Sequence, residues 1–133
     1  MSKTSSISMN VAVKATPAEV FAALTNSKAI LEWCGQKGKV EAKIGGRFEM
    51  FDGWVKGKVL AYEPGTSLAY TWHPADWQKE WDASIVKYTF TKTKSGTKIS
   101  LKHSGFPSEQ EMKSHHSGWT EHVFDPLKKF FKA

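Results

Sequence analysis

From Lys39 to Ser104 apolar and polar residues alternate with a period of two; beyond Ser108 the apolar residues recur every three or four positions. The first pattern puts successive side chains on opposite faces of strands, and the second gathers them into one stripe of a helix. A chain built this way has an apolar sheet face and an apolar helix face, and neither is stable until it covers the other. This single change of period restricts the fold more than any motif in the chain.

Turn signals place the strands. Val40, Ala42 and Ile44 alternate with Lys39, Glu41 and Lys43, and Gly45-Gly46 supplies a tight turn. Arg47 to Phe51 ends at Asp52-Gly53, a strong hairpin signal. Trp54 to Tyr62 stops at Glu63-Pro-Gly65, and Ser67 to His73 runs into a longer loop from Pro74 to Asp82. Ser84 to Thr93 then turns through Lys94-Ser-Gly96 into Thr97 to Ser104. Ahead of these, Ile7, Met9, Val11 and Val13 alternate with small or polar residues and make a first strand. Thr16-Pro-Ala-Glu19 combines an N-cap threonine, a proline at the first helical position and the glutamate of a capping box, so a short helix opens there. A second short helix is expected from Ser27 to Trp33, ending before Gly35. Ser108 with Glu111 is another capping box. Met112, His116, Trp119, Val123, Leu127 and Phe130 mark the inward face of a long C-terminal helix, with a kink or a lost hydrogen bond expected at Pro126. The class is α+β: a curved seven-stranded antiparallel sheet wrapped around a long C-terminal helix, with two short helices after strand 1.

In this order the elements resemble the helix-grip superfamily of START-like, birch-pollen-allergen-like (SRPBCC) domains. Thr16-Pro-Ala-Glu-Val-Phe-Ala-Ala-Leu-Thr25, Trp33 and Ile44-Gly-Gly-Arg-Phe48 narrow the resemblance to the branch named for the activator of heat-shock-protein-90 ATPase. Gly57 with Val59, Leu68-Ala-Tyr-Thr-Trp72, Gly96-Thr97, His103-Ser-Gly-Phe106 and Gly118-Trp119 extend it over nearly the whole chain. The resemblance implies the helix-grip fold, a hydrophobic cavity and a link to the stress response.

The 133 residues fit one domain, 1–133. No apolar stretch approaches the roughly 20 residues of a membrane span, so membrane insertion is not expected. The N-terminal Met1-Ser-Lys-Thr-Ser-Ser6 lacks the basic-then-apolar run of a leader, and the lone Cys34 allows no internal disulfide; a cytoplasmic location is expected. A net charge of +6 raises the question of nucleic acid. Lys39, Lys43, Lys56, Lys58, Lys87, Lys98 and Lys102 fall at alternate strand positions, as on a solvated sheet face, and Arg47 is the one arginine. No specific nucleic-acid partner is expected.

Catalytic and metal signals are weak. His115 and His116 are adjacent and point about 100° apart on a helix, and His122 adds no metal-binding spacing. Cys34 has no nucleophile motif around it, and Gly45-Gly46 is flanked by strands without the Gly-Lys-Ser/Thr of a phosphate loop. No catalytic residue, metal or cofactor is assigned. The aromatic content says more: six Trp and eight Phe exceed what a small core needs. The sheet offers Phe48, Val59, Leu68, Tyr70, Trp72, Val86, Tyr88, Phe90, Ile99, Leu101 and His103 to its concave side; the helix offers Met112, His116, Trp119 and Val123. Apolar walls with a few polar atoms are the composition of a small-molecule site, expected to enclose roughly 300–1,000 Å³. Trp77 and Trp81 stand either over the mouth of that cavity or on a partner-binding rim.

The expected function is therefore binding of a hydrophobic small molecule or lipid between sheet and helix. The alternative, implied by the resemblance, is a chaperone-associated protein-interaction module of the heat-shock-protein-90 ATPase activator type. A cyclase- or dehydratase-type enzyme stands third, since it would need His103, His116 or a carboxylate with a shifted pKa inside the cavity.

Overall fold

The computed structural model describes residues 6–131. Residues 1–5 of the N-terminal stretch considered for a leader, and residues 132–133, lie outside it. In chain order the elements are β1 (Ile7–Val13), α1 (Pro17–Thr25), α2 (Ser27–Cys34), β2 (Lys39–Val40), β3 (Arg47–Met50), β4 (Val55–Glu63), β5 (Ser67–Pro74), β6 (Ser84–Lys92), β7 (Thr97–Ser104), α3 (Glu109–Trp119), a π-helical turn (Thr120–Phe124) and α4 (Asp125–Phe130). The strands form one antiparallel sheet in the order β1-β7-β6-β5-β4-β3-β2. The change of period predicts the apolar sheet face and the helix, and the resemblance implies their helix-grip arrangement; both are found.

Local chemistry sets the helix ends. Thr16 Oγ1 accepts from the Glu19 amide (3.1 Å) while Glu19 Oε1 accepts from the Thr16 amide (2.8 Å), closing the capping box at α1. Asn26 caps α2, and Gly35 ends it with φ of 81°, a left-handed turn that glycine adopts without penalty. The Trp33 indole N–H donates to the Ala23 carbonyl (2.7 Å), which ties α2 to α1.

Alternation along the central strands is strict. Leu68, Tyr70 and Trp72 of β5, Val86, Tyr88 and Phe90 of β6, and Ile99, Leu101 and His103 of β7 are all buried. Every lysine assigned to the solvated face from its alternation is exposed. At Gly57 β4 comes so close to β5 that a Cβ would collide with the Thr71 carbonyl, and the register shifts between Val59 and Ala61. Such an irregularity bends a strand, as a sheet curling around a helix requires.

Two expectations need correction. The strand from Lys39 to Ile44 stops at Val40, and Ile44 is 69% exposed. The Glu41 amide donates to the Arg47 carbonyl, its carboxylate accepts from the Arg47 amide, and its carbonyl accepts from the Lys43 amide, so the chain turns early. The C-terminal helix also changes phase. A π turn precedes Pro126, and the Asp125 amide reaches back five residues to the Thr120 carbonyl. Proline has no N–H to give, and the wide turn absorbs the missing bond while rotating the helix. Val123 and Phe124 both become buried as a result, and Phe130, expected inside, is 36% exposed.

Candidate functional site

The space between sheet and helix divides into two ends. At one end Phe48 stacks on Tyr70 with centroids 3.8 Å apart, and Tyr88 stacks on Phe90 at 6.1 Å. Phe21 of α1 closes this end edge-on against Phe90. The Tyr70 hydroxyl donates to the Tyr88 hydroxyl (3.2 Å), and burial raises the pKa of both phenols. The interior at this end is packed with the chain's own rings.

The other end carries the polar chemistry. Trp119 donates its indole N–H to His103 Nδ1 (3.0 Å). An indole can only donate, so the His103 proton sits on Nε2 and is given to Ser84 Oγ (2.8 Å), which donates in turn to the Trp72 carbonyl (2.9 Å). Burial, and then the neighbouring His115, pull the His103 pKa from 6.5 down to about 3. Ser84 and His103 look like a nucleophile and its base, but Nε2 has no free lone pair to take the serine proton, and both residues are fully buried. The pair is a structural relay.

Trp72 donates its own indole N–H to His115 Nε2 (3.1 Å), and His115 Nδ1–H donates to the Glu111 carbonyl (2.9 Å). The His115 pKa is lowered, chiefly by burial, so the ring is neutral near pH 7. This corrects the assignment of His116, which is exposed. Counting back from Trp119, His116 and His115 lie three and four residues away, both on one helix side by period alone; the Trp72 indole selects His115. Met112 is only half-buried, while the other residues expected to line the cavity, from Phe48 on the sheet to Val123 on the helix, are buried.

A pocket of about 180 Å³ opens at this end. Phe51, Trp54, Trp72 and Trp119 wall it; Asp76, Glu111, Ser114, His115 and His122 edge it; Gly118 and Val123 lie beneath. Its volume is smaller than expected because Trp72 and Trp119 pack to 5.2 Å. Of its lining residues only Trp72, Trp119 and Val123 are among those the sequence pattern points to; Phe51, Trp54, Asp76, Glu111, Ser114, His115, Gly118 and His122 are not. The Asp52-Gly53 turn signal marks where Phe51 and Trp54 lie without showing which way they point. The structure shows the cause: Phe51 and Asp52 both take positive φ (55° and 58°), rare for a bulky ring, and the turn is pinned by Asp52, whose carboxylate accepts from the Lys37 amide (2.7 Å) and whose amide donates to the Lys37 carbonyl (2.9 Å). Trp77 is buried, with its indole N–H on Glu111 Oε1 (2.9 Å), and Trp81 packs beside it; they buttress the pocket's edge. A wider depression of about 900 Å³ runs along Ser27, Lys28, Leu31, Lys37 and Lys39 to the Asp52-Gly53 turn, and none of the pocket's rings lines it.

Comparison with known proteins places this geometry in a family. The chain is 26% identical over 116 residues to the mouse activator of 90 kDa heat shock protein ATPase homolog 1, covering 87% of this chain and 34% of that protein. It spans about a third of the length of the curated mammalian relatives it matches. A solved structure of a Mesorhizobium loti protein superposes with a TM-score of 0.80 at 28% identity, covering 94% of this chain and 95% of that one. The structure of an HSP90 activator from Plasmodium falciparum shares the fold, with a TM-score of 0.84 at 24% identity over 94% of each chain. Residues 14–132 match the activator of Hsp90 ATPase homolog 1-like family, and the chain belongs to that family.

Proposed function

We propose that this chain is a chaperone-associated protein-interaction module that modulates the ATPase of an Hsp90-type chaperone in the cytoplasm. The family match over residues 14–132 carries this reading. The packed interior supports it, because a partner then has to be met at the surface. On the outer sheet face Ile85 and Leu60 stand exposed near Lys58, Lys87 and Lys102. Basic charge with scattered apolar contacts suits an acidic protein surface, where complementary charge raises the association rate. No helix among the described residues is long and apolar enough to cross a membrane, which is compatible with the location.

The test is the ATPase rate of an Hsp90 from the same organism. Adding this chain should change the rate saturably, and the triple substitution Lys58→Glu, Lys87→Glu, Lys102→Glu should weaken the effect. An unchanged rate at saturating additions, with no complex by analytical ultracentrifugation, refutes the proposal.

A second reading, binding of a small molecule, is favoured by the pocket at Trp72. At roughly 30 Å³ per water-sized group, its volume of about 180 Å³ holds about six heavy atoms rather than a lipid chain.

A further inference from the structure

The pocket at the polar end has a composition unlike the rest of the molecule. The chain has 19 Lys and Arg against 13 Asp and Glu, yet no lysine or arginine lines this pocket, and two carboxylates, Asp76 and Glu111, do. Phe51, Trp54 and Trp72 stand with centroids 6.1–6.5 Å apart and interplanar angles of 65–81°, the corner of a box built from three rings. Trp54 is 39% exposed, although a large indole would ordinarily be buried. Phe51 is held at its place by a left-handed backbone and the Asp52–Lys37 bonds, so this wall is preorganised. Gly118 lies mid-helix, where glycine weakens a helix, and a Cβ there would meet only the His122 ring at 3.9 Å. The absent side chain leaves the pocket's floor open.

We infer that this pocket binds a compact organic cation, an alkylated ammonium group of the choline type, held against the Phe51, Trp54 and Trp72 rings and balanced by Asp76 and Glu111. Ring quadrupoles attract a weakly hydrated cation, and its methyl groups bury apolar area at the same time. A hard metal ion is a poor match: it requires six or more oxygen ligands, and the walls here are mostly carbon. The neutral His115 adds no opposing charge, because its Nε2 lone pair is taken by the Trp72 indole and its proton by the Glu111 carbonyl. The inference rests on the small-molecule reading of this pocket and is independent of the chaperone reading.

The test titrates the protein at pH 8 with choline, with tetramethylammonium and with 3,3-dimethyl-1-butanol, the uncharged isostere of choline, at matched ionic strength. Indole N–H signals of Trp54 and Trp72 report occupancy by NMR. Both cations should produce saturable shifts at those indoles, and the alcohol should bind about tenfold more weakly or less. Trp54→Ala and Asp76→Asn, both at exposed positions, should each weaken choline binding about three- to thirtyfold while leaving the spectrum dispersed elsewhere. Equal affinity for choline and the alcohol overturns the cation assignment while leaving a small-molecule pocket. No saturable shift with any of the three overturns both.

Discussion

The two ends of the sheet–helix interface are built from similar residues and behave as opposites. At the sealed end, Tyr70 and Tyr88 satisfy each other's hydroxyls, Phe48 and Phe90 cover them, and α1 closes the side through Phe21. At the polar end, Trp72, Trp119, His103 and His115 are linked by hydrogen bonds that leave two imidazoles neutral, and the cover is a turn and a loop rather than a helix. Aromatic content alone therefore does not make a site. What matters is whether the polar atoms are consumed inside the packing or left at the edge of an opening.

The residue common to both ends is the strongest place to break the comparison. Trp119 packs edge-on against Tyr88, tilts over Trp72 and bonds His103, at 3% exposure. Trp119→Ala should lower stability by about 3–5 kcal/mol in guanidinium melts. A loss below about 1 kcal/mol would show that the ends do not share this support.

Acid should separate the two ends. His103 binds a proton less readily when folded (pKa about 3) than when unfolded (6.5), so its contribution is complete above pH 6.5 and is lost as pH falls toward 3. His115 is shifted in the same direction and adds to the loss; it faces Glu111 on its own helix, Asp76 on the loop and His103 on β7. At pH 5 the His103 share is about 2 kcal/mol, at about 1.4 kcal/mol per pH unit. Hydrogen exchange should quicken first at the Trp72 and Trp119 indoles, since phenols do not titrate in acid. Urea midpoints that stay level from pH 7 to 5 would contradict the buried neutral imidazole.

A double-mutant cycle sharpens the account of the sealed end. Tyr70→Phe or Tyr88→Phe alone should cost about 1–3 kcal/mol, because the remaining buried hydroxyl loses its partner. The double variant should cost clearly less than the sum of the singles, and strict additivity would mean that the hydroxyls are not paired. The smallest effect belongs to the open end: Gly118→Ala should stabilise the protein by about 0.5–1 kcal/mol, since helix propensity improves and the new methyl meets only ordinary contact. A loss of stability in thermal melts would show that the floor of the pocket is not open.

The sequence by itself determined what is local. Alternation specified β4 to β7 within a residue or two, the Thr16–Glu19 box opened α1, and Gly35 ended α2, because these signals act over two to four neighbours. The buried side of the central strands followed from the same parity. Tertiary structure decided everything that depends on which surface meets which. It chose His115 over His116, since both satisfy a helical period and only the Trp72 indole tells them apart. It turned the chain at Glu41 and rotated the helix through a π turn ahead of Pro126. It also filled one end of the interface and left the other open, because close packing of rings is a property of their positions in space and not of their order along the chain.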